Sequence, residues 1–258
     1  MIRFLRNLPR RLRKDDGGLA LLEFALALPV ILFAGGYGIE ISHYALVQLN
    51  ISQFALNLAD NASRVGVVSS NGVSTLRETD INDVLQATKL QGDPIKLTTY
   101  GRITLSSLEN VAQDYDKTTT QRIHWQRCIG VKSGAGYDSS YGATATAANL
   151  VTEGNAAPDG YTASADDKYA GVATATGMGD TGAKVMAPAD TGVMFVEINY
   201  DYQPFFGTLF IAPSKIHYIA SFVVRDNRDF TQISNPSPAA TASTCNLYNA
   251  GPTTINKY

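Results

Sequence analysis

Apolar residues along this chain fall into three patterns, each predicting a different element. From Leu19 to Ile39 nearly every position is apolar, and Glu23 is the one strongly polar residue before Glu40. At 1.5 Å per residue the run covers roughly 30 Å, about one hydrocarbon core. Gly35, Gly36 and Gly38 thin its end, and Pro29 removes a helical hydrogen bond inside it. The run therefore predicts a marginal membrane helix, comfortable in lipid and able to leave it for a protein environment. Beyond it the apolar positions narrow to a stripe. Tyr44, Val47, Ile51, Phe54, Leu58, Ala62 and Val65 recur at steps of three and four, and Asn50, Gln53, Asn57, Asp60, Asn61 and Arg64 fill an adjoining arc. Residues 19–65 thus predict one helix of about 70 Å, apolar all round in its first half and amphipathic in its second. Gly66 is its stop signal. The second half needs a surface to lie on, most simply the chain's own C-terminal domain.

The third pattern is alternation. Thr79 or Asp80 caps a short helix over Ile81–Leu90, which Gly92-Asp93-Pro94 ends. Ile95–Leu108 then reads as a strand with Gly101 as a bulge, and Arg122–Ile129 as a second strand carrying the only tryptophan, Trp125. Residues 130–190 lose the period: Gly, Ala, Ser, Thr and Asp dominate, and Gly142-Ala-Thr-Ala-Thr recurs in similar form at Gly171–Thr176. So long a stretch without strong elements predicts a surface insertion with at most a weak hairpin. Val193–Tyr200 is apolar on both faces and predicts a covered, central strand. Phe205–Ile211 is a short apolar turn bounded by Pro204 and Pro213, expected in the core and otherwise a partner or membrane contact. Lys215–Arg225 alternates as a last strand, and the tail from Asp226 is polar and Pro-rich. Short strands after one long helix predict an α+β fold, an antiparallel sheet packed on the helix's second half. The expected divisions are a leader (1–18), a span (19–40), an amphipathic continuation (41–66), an α+β domain (67–230) containing the 130–190 insertion, and a tail (231–258).

Charge adds an orientation. The 258 residues carry a net charge of −2, so nothing global points to nucleic acid. Arg3, Arg6, Arg10, Arg11, Arg13 and Lys14 all precede the apolar run, which predicts a cytoplasmic N-terminus and a domain on the far side of the membrane. The two cysteines, Cys128 and Cys245, then lie in an oxidising compartment, where a bridge is the first expectation and two buried thiols the second. A secretory signal peptide and a plain single-span anchor are rival readings of the N-terminus. The first seldom carries a glutamate at its centre, and cleavage near Gly36 would cut a continuing helix. The second leaves Gly18 and Glu23 without a reason.

Catalytic and ligand motifs are sparse. Gly177-Met-Gly-Asp-Thr-Gly182 matches GxGxxG, yet no buried strand leads into it and Pro188 stops any following helix. His43, His124 and His217 are scattered over different elements, and Asp226-Asn-Arg-Asp229 lacks the spacing of a calcium loop. No constellation for catalysis emerges, and no cofactor or metal is expected.

One stretch is more specific. Two glycines precede Leu19-Ala-Leu-Leu-Glu-Phe-Ala-Leu-Ala-Leu-Pro29, with Glu23 the fifth residue after Gly18. With its basic leader this wording resembles the TadE/TadG-like pseudopilins of the Tad (tight adherence) type IV pilus system. Over residues 10–45 the resemblance implies cleavage by a prepilin peptidase between Gly18 and Leu19. It implies that Glu23 then pairs with the terminal amine of a neighbouring subunit, and that Arg10, Arg11, Arg13 and Lys14 hold the leader in the cytoplasm. It further implies other pilin subunits and an inner-membrane assembly platform as partners. The major pilins of such systems are much shorter, so the resemblance implies a minor subunit that primes, assembles or caps a filament used for adhesion. The alternative is a membrane-anchored periplasmic binding or adhesion domain that never enters a filament.

Overall fold

The computed structural model of the chain describes residues 17–141 and 170–251. The leader with Arg10, Arg11, Arg13 and Lys14, and the first Gly-Ala-Thr repeat, lie outside the described residues. Helix α1 (Gly17–Ala62) is unbroken through Pro29. It is followed by β1 (Val67–Val68), β2 (Ser74–Thr75), α2 (Glu78–Gly92), a 3-10 turn (Asp93–Ile95) and α3 (Leu97–Tyr100). Then come β3 (Gly101–Val111), β4 (Thr120–Ile129), β5 (Val172–Ala173), β6 (Gly192–Asp201), a 3-10 turn (Gly207–Leu209) and β7 (Lys215–Val223). Strands β1 and β2 form a separate two-stranded pair, with Ser74 of β2 also bridging Arg228; the other five form an antiparallel sheet in the order β5-β4-β3-β6-β7. The α+β class expected from the alternating strands is the class observed.

The described residues cluster into two compact units. One takes α1 up to Leu46 together with Gln203–Pro213; the other takes Val47–Tyr202 and the chain from Ser214 onward.

In the second unit both faces of the sheet are covered. Ile103, Leu105, Trp125, Ile129, Val196 and Ile198 share one face with Arg127, whose guanidinium meets the Glu78 carboxylate of α2; both side chains are fully buried. A buried pair of this kind stabilises little in itself, but losing one partner strands the other charge. The Val47, Ile51, Ala55, Leu58, Ala59 and Ala62 stripe of α1 is buried in this unit as well. Its last turn is closed by Arg228, which donates to the carbonyls of Ala62 (3.1 Å), Ser63 (3.2 Å) and Val65 (2.9 Å). A cation on orphaned helix-end carbonyls is favourable twice, through the hydrogen bonds and through the dipole.

On the opposite face, Leu108, Ile123, Val193 and Phe195 form a core with Met178 and Ala187. This corrects the surface-insertion reading for the described part of 130–190. Residues 170–187 build a layer over the sheet, despite their small-residue composition, because two buried anchors in the right register suffice. The Gly177–Gly182 motif is turn chemistry within it. Met178 and Val185 exchange backbone hydrogen bonds (3.0 and 2.7 Å), and Gly177, Gly179 and Gly182 all take positive φ.

A second correction concerns residues 95–100, which are helical and not extended. Pro94 sits at the start of a 3-10 turn, and Lys96 is left-handed (φ 51°), so a new turn begins at Leu97. Gly101 therefore starts β3 and is no bulge; a Cβ there would lie 2.7 Å from the Asn199 carbonyl oxygen. The register shift falls instead between Ser107 and Leu108, where β4 holds His124 as an extra residue. Helix α2 begins one turn earlier than expected. Asp80 does not cap it but reaches back from the first turn to the Arg77 amide (3.0 Å) and guanidinium.

The tail is part of the fold. Cys128 and Cys245 form a disulfide. Around it the Cys128 and Gly130 amides donate to Ser243 (2.7 Å) and Asn249 (2.6 Å), extending β4's outer edge beyond β5. Buried Arg102 holds the same tail, donating to the carbonyls of Gly130 (2.8 Å), Leu247 (2.9 Å) and Cys245 (2.5 Å), with Tyr248 stacked at 4.5 Å. Burial pushes the Arg102 guanidinium below its ordinary pKa, against the opposing effect of Asp138.

Candidate functional site

The sequence places its candidate residues at the start of α1, and the first unit shows their surroundings. Every large apolar side chain from Leu19 to Phe33 is exposed, a surface no soluble helix presents without a reason. This is the one helix among the described residues long and apolar enough to cross a membrane. Gly18 has nothing within 4 Å of where a Cβ would stand. The Gly18–Leu19 bond lies in the first turn of the helix, the part most prone to fray. Glu23 is exposed among Leu21, Leu22, Phe24 and Leu26, and no side chain of the described residues pairs with it. Among the described residues the fold thus brings nothing to Gly18, Leu19 or Glu23 from elsewhere in the chain.

Glu40, at the other end of the same apolar run, has the opposite environment. It is fully buried, and its two carboxylate oxygens accept the amides of Phe205 (3.1 Å) and Phe206 (2.9 Å). The Phe205–Ile211 turn is therefore not core, as its composition led one to expect. It is a loop fastened to the side of α1. The Phe210 ring stands edge-on to Phe33 (5.0 Å) and Tyr37 (6.2 Å), and Phe206 edge-on to Phe210 (5.5 Å). Gly36 gives Phe210 its seat: a Cβ there would lie 2.8 Å from the ring. Phe205 and Leu209 remain 70% and 62% exposed.

In the second unit the histidines serve the sheet. Buried His124 approaches Glu109 through Nδ1 (2.5 Å), and the Ser107 hydroxyl donates to the same carboxylate (2.6 Å). The types match a Ser-His-acid set, but the carboxylate stands between the other two, and the void that they line, about 10 Å³, holds no more than a water. His217 Nδ1 lies 2.7 Å from Asn199 Oδ1 and half-exposed at the sheet's edge strand. Beside it Glu197 is buried; one oxygen takes the Ser140 amide (3.4 Å) and Asn199 amide group (3.3 Å), and the other has no hydrogen-bond partner. Burial raises the Glu197 pKa, partly offset by these hydrogen bonds and by His217. Among the described residues no His, Cys, Asp and Glu cluster has the arrangement of a metal site.

Sequence reasoning missed Glu40, Arg228, Arg102 and the Glu78–Arg127 pair. Glu40 carried a signal, since it is the first charge after the apolar run and ought to mark where polar surroundings begin. The three arginines gave none, because the carbonyls that Arg102 and Arg228 hold, and the carboxylate that Arg127 meets, are brought to them by the fold alone. Comparison with protein-family models, curated proteins and solved structures gave no match.

Proposed function

We propose that this chain is a minor pseudopilin of the TadE/TadG-like kind, held in the bacterial inner membrane by α1 and delivered from there to a Tad-type pilus. In this reading it primes, assembles or caps the filament, and its partners are a prepilin peptidase, other pilin subunits and the inner-membrane platform. The second unit stands on the periplasmic side, where the Cys128–Cys245 bridge persists. The observation that carries the reading is Glu23, a carboxylate with no side-chain partner among the described residues, on an otherwise apolar, outward-facing helix. A charge inside a membrane span is costly, about 2.5–3.5 kcal/mol at the centre on insertion scales and less toward the end of the run, where Glu23 stands. A carboxylate that finds no counter-charge among the described residues is placed to receive one from another molecule. A new amine at Leu19, freed by cleavage after Gly18, is such a counter-charge, and pairing the two sets the axial register between subunits.

Glu23→Ala and Gly18→Leu separate the two steps. Glu23→Ala leaves processing largely intact and lowers assembly into fibres, read by sheared-pilus yield and co-purification. Gly18→Leu blocks processing itself. Normal pili from Glu23→Ala cells contradict the pairing role. The second reading, an anchored periplasmic domain that stays out of filaments, draws its support from the loop bound to α1, which suits a helix kept in place; it predicts an uncleaved chain that never co-purifies with fibres.

A further inference from the structure

We propose that Gln203–Pro213 is a second membrane element, a loop that rests its Phe205, Phe206, Leu209 and Phe210 side chains in the acyl region of the leaflet from which α1 emerges. The proposal rests on α1 being a membrane span. Position along the helix is the first argument. Counted from Leu19, Phe33 stands about 21 Å, Tyr37 about 27 Å and Glu40 about 32 Å along an apolar run that fills a core of roughly 30 Å. Phe210 packs directly on Phe33 and Tyr37. A loop seated on those residues shares their depth.

Backbone chemistry is the second argument. Irregular chain in hydrocarbon is tolerated only if its amides and carbonyls find partners. Here Glu40 accepts two consecutive amides, Pro204 and Pro213 have none to offer, and Gly207–Leu209 closes a 3-10 turn. The carboxylate is fully buried at the level where the span meets polar surroundings. Composition is the third: no charged residue lies between Gln203 and Pro213. Phe205 and Leu209 remain 70% and 62% exposed, although the Phe205 ring also stands edge-on to His43 of α1 (6.2 Å). The loop is already fixed to its own helix, so lipid alone completes its burial, and aromatic rings are favoured at this boundary.

The native cysteines are bridged to each other, so one introduced cysteine is the only thiol open to a label. The test uses the full chain in phosphatidylethanolamine–phosphatidylglycerol vesicles, with a nitroxide at Leu209→Cys, at Leu26→Cys as the span reference and at Lys184→Cys as the aqueous reference. Collision with oxygen and with a water-soluble nickel chelate reports depth. The expected result is a Leu209→Cys oxygen-to-chelate ratio several-fold above that of Lys184→Cys and on the side of Leu26→Cys. Adding Glu40→Ala is expected to move it back toward the aqueous value; no movement would overturn the carboxylate's role as the fastening. A label at 209 that meets the chelate freely, while the one at 26 is in lipid, overturns the proposal and spares the span. A label at 209 shielded from both collision partners overturns it in favour of a protein neighbour. A label at 26 that meets the chelate removes the span and this proposal together.

Discussion

Glu23 and Glu40 occupy the two ends of one apolar run and teach opposite lessons. Glu40 is buried, and both its oxygens are taken by amides of the chain itself. Glu23 is exposed, surrounded by leucine and phenylalanine, and the described residues offer it no partner. A charge whose partners come from its own fold contributes to folding, and removing it should unsettle the structure. A charge without such partners contributes nothing to the isolated chain, and its removal should show only when another molecule is present. The buried charges of the second unit extend the first case.

The largest effect is expected at Arg127. Arg127→Met leaves Glu78 buried and unpaired, which should lower unfolding free energy by about 3–5 kcal/mol, with most of the loss regained when Glu78→Leu is added. Urea titration followed by Trp125 fluorescence measures both; an unchanged midpoint in the single variant would break the rule. Glu40→Ala comes next. It strands two amides at about 1–3 kcal/mol, and the effect should stay local, with faster hydrogen exchange at Phe205 and Phe206 and an unaltered urea midpoint for the sheet. Spread of the change into the sheet would mean that Glu40 supports more than its loop.

Glu197 should give a smaller, pH-dependent effect. Burial raises its folded-state pKa above that of the unfolded chain. The folded form therefore holds its proton more tightly, and the stability linked to this group is present below the unfolded pKa and lost as pH rises through the folded one. Glu197→Gln should flatten that decline and leave the protein relatively more stable near neutrality, which thermal melts across pH will show. A steeper decline in the variant would mean that the ionised form is the one the fold favours. Smallest is Glu23→Ala, expected within about ±0.5 kcal/mol on the isolated chain. A marked loss of stability there would give Glu23 a partner within its own chain and undo the comparison.

Much of this was legible from pattern. The long helix was, because the apolar run from Leu19 passes directly into the helical stripe that runs through Ala62, which outweighs Pro29, Gly35, Gly36 and Gly38; its end was misjudged by only three residues, at Val65 against Ala62. The strands at Arg122–Ile129, Val193–Tyr200 and Lys215–Arg225 were too, because alternating β-branched and aromatic residues have few other uses. Residues 95–99 deceived because their alternation is real, yet Pro94 and the left-handed Lys96 fix the backbone before side chains matter. Residues 170–187 deceived in the other direction. Their layer depends on Met178 and Ala187 meeting Leu108, Ile123, Val193 and Phe195, contacts between distant segments that no local pattern records. The Phe205–Ile211 turn reads as core by hydrophobicity alone, since composition cannot say whether an apolar residue is to be hidden by protein or by lipid. Of the candidate site, Gly18 and Glu23 stand out in the sequence from their apolar neighbours, whereas Glu40's partners, Phe205 and Phe206, are brought to it only by the fold.

The central claim is that Glu23 awaits an amine that exists only after the leader is removed. Mass-spectrometric determination of the N-terminus, on protein recovered from envelopes with and without an active prepilin peptidase, tests it most directly. The account predicts a chain beginning at Leu19 when the peptidase is present and an intact leader when it is absent. A chain that keeps Met1 in both, or begins near Gly36 in both, contradicts it.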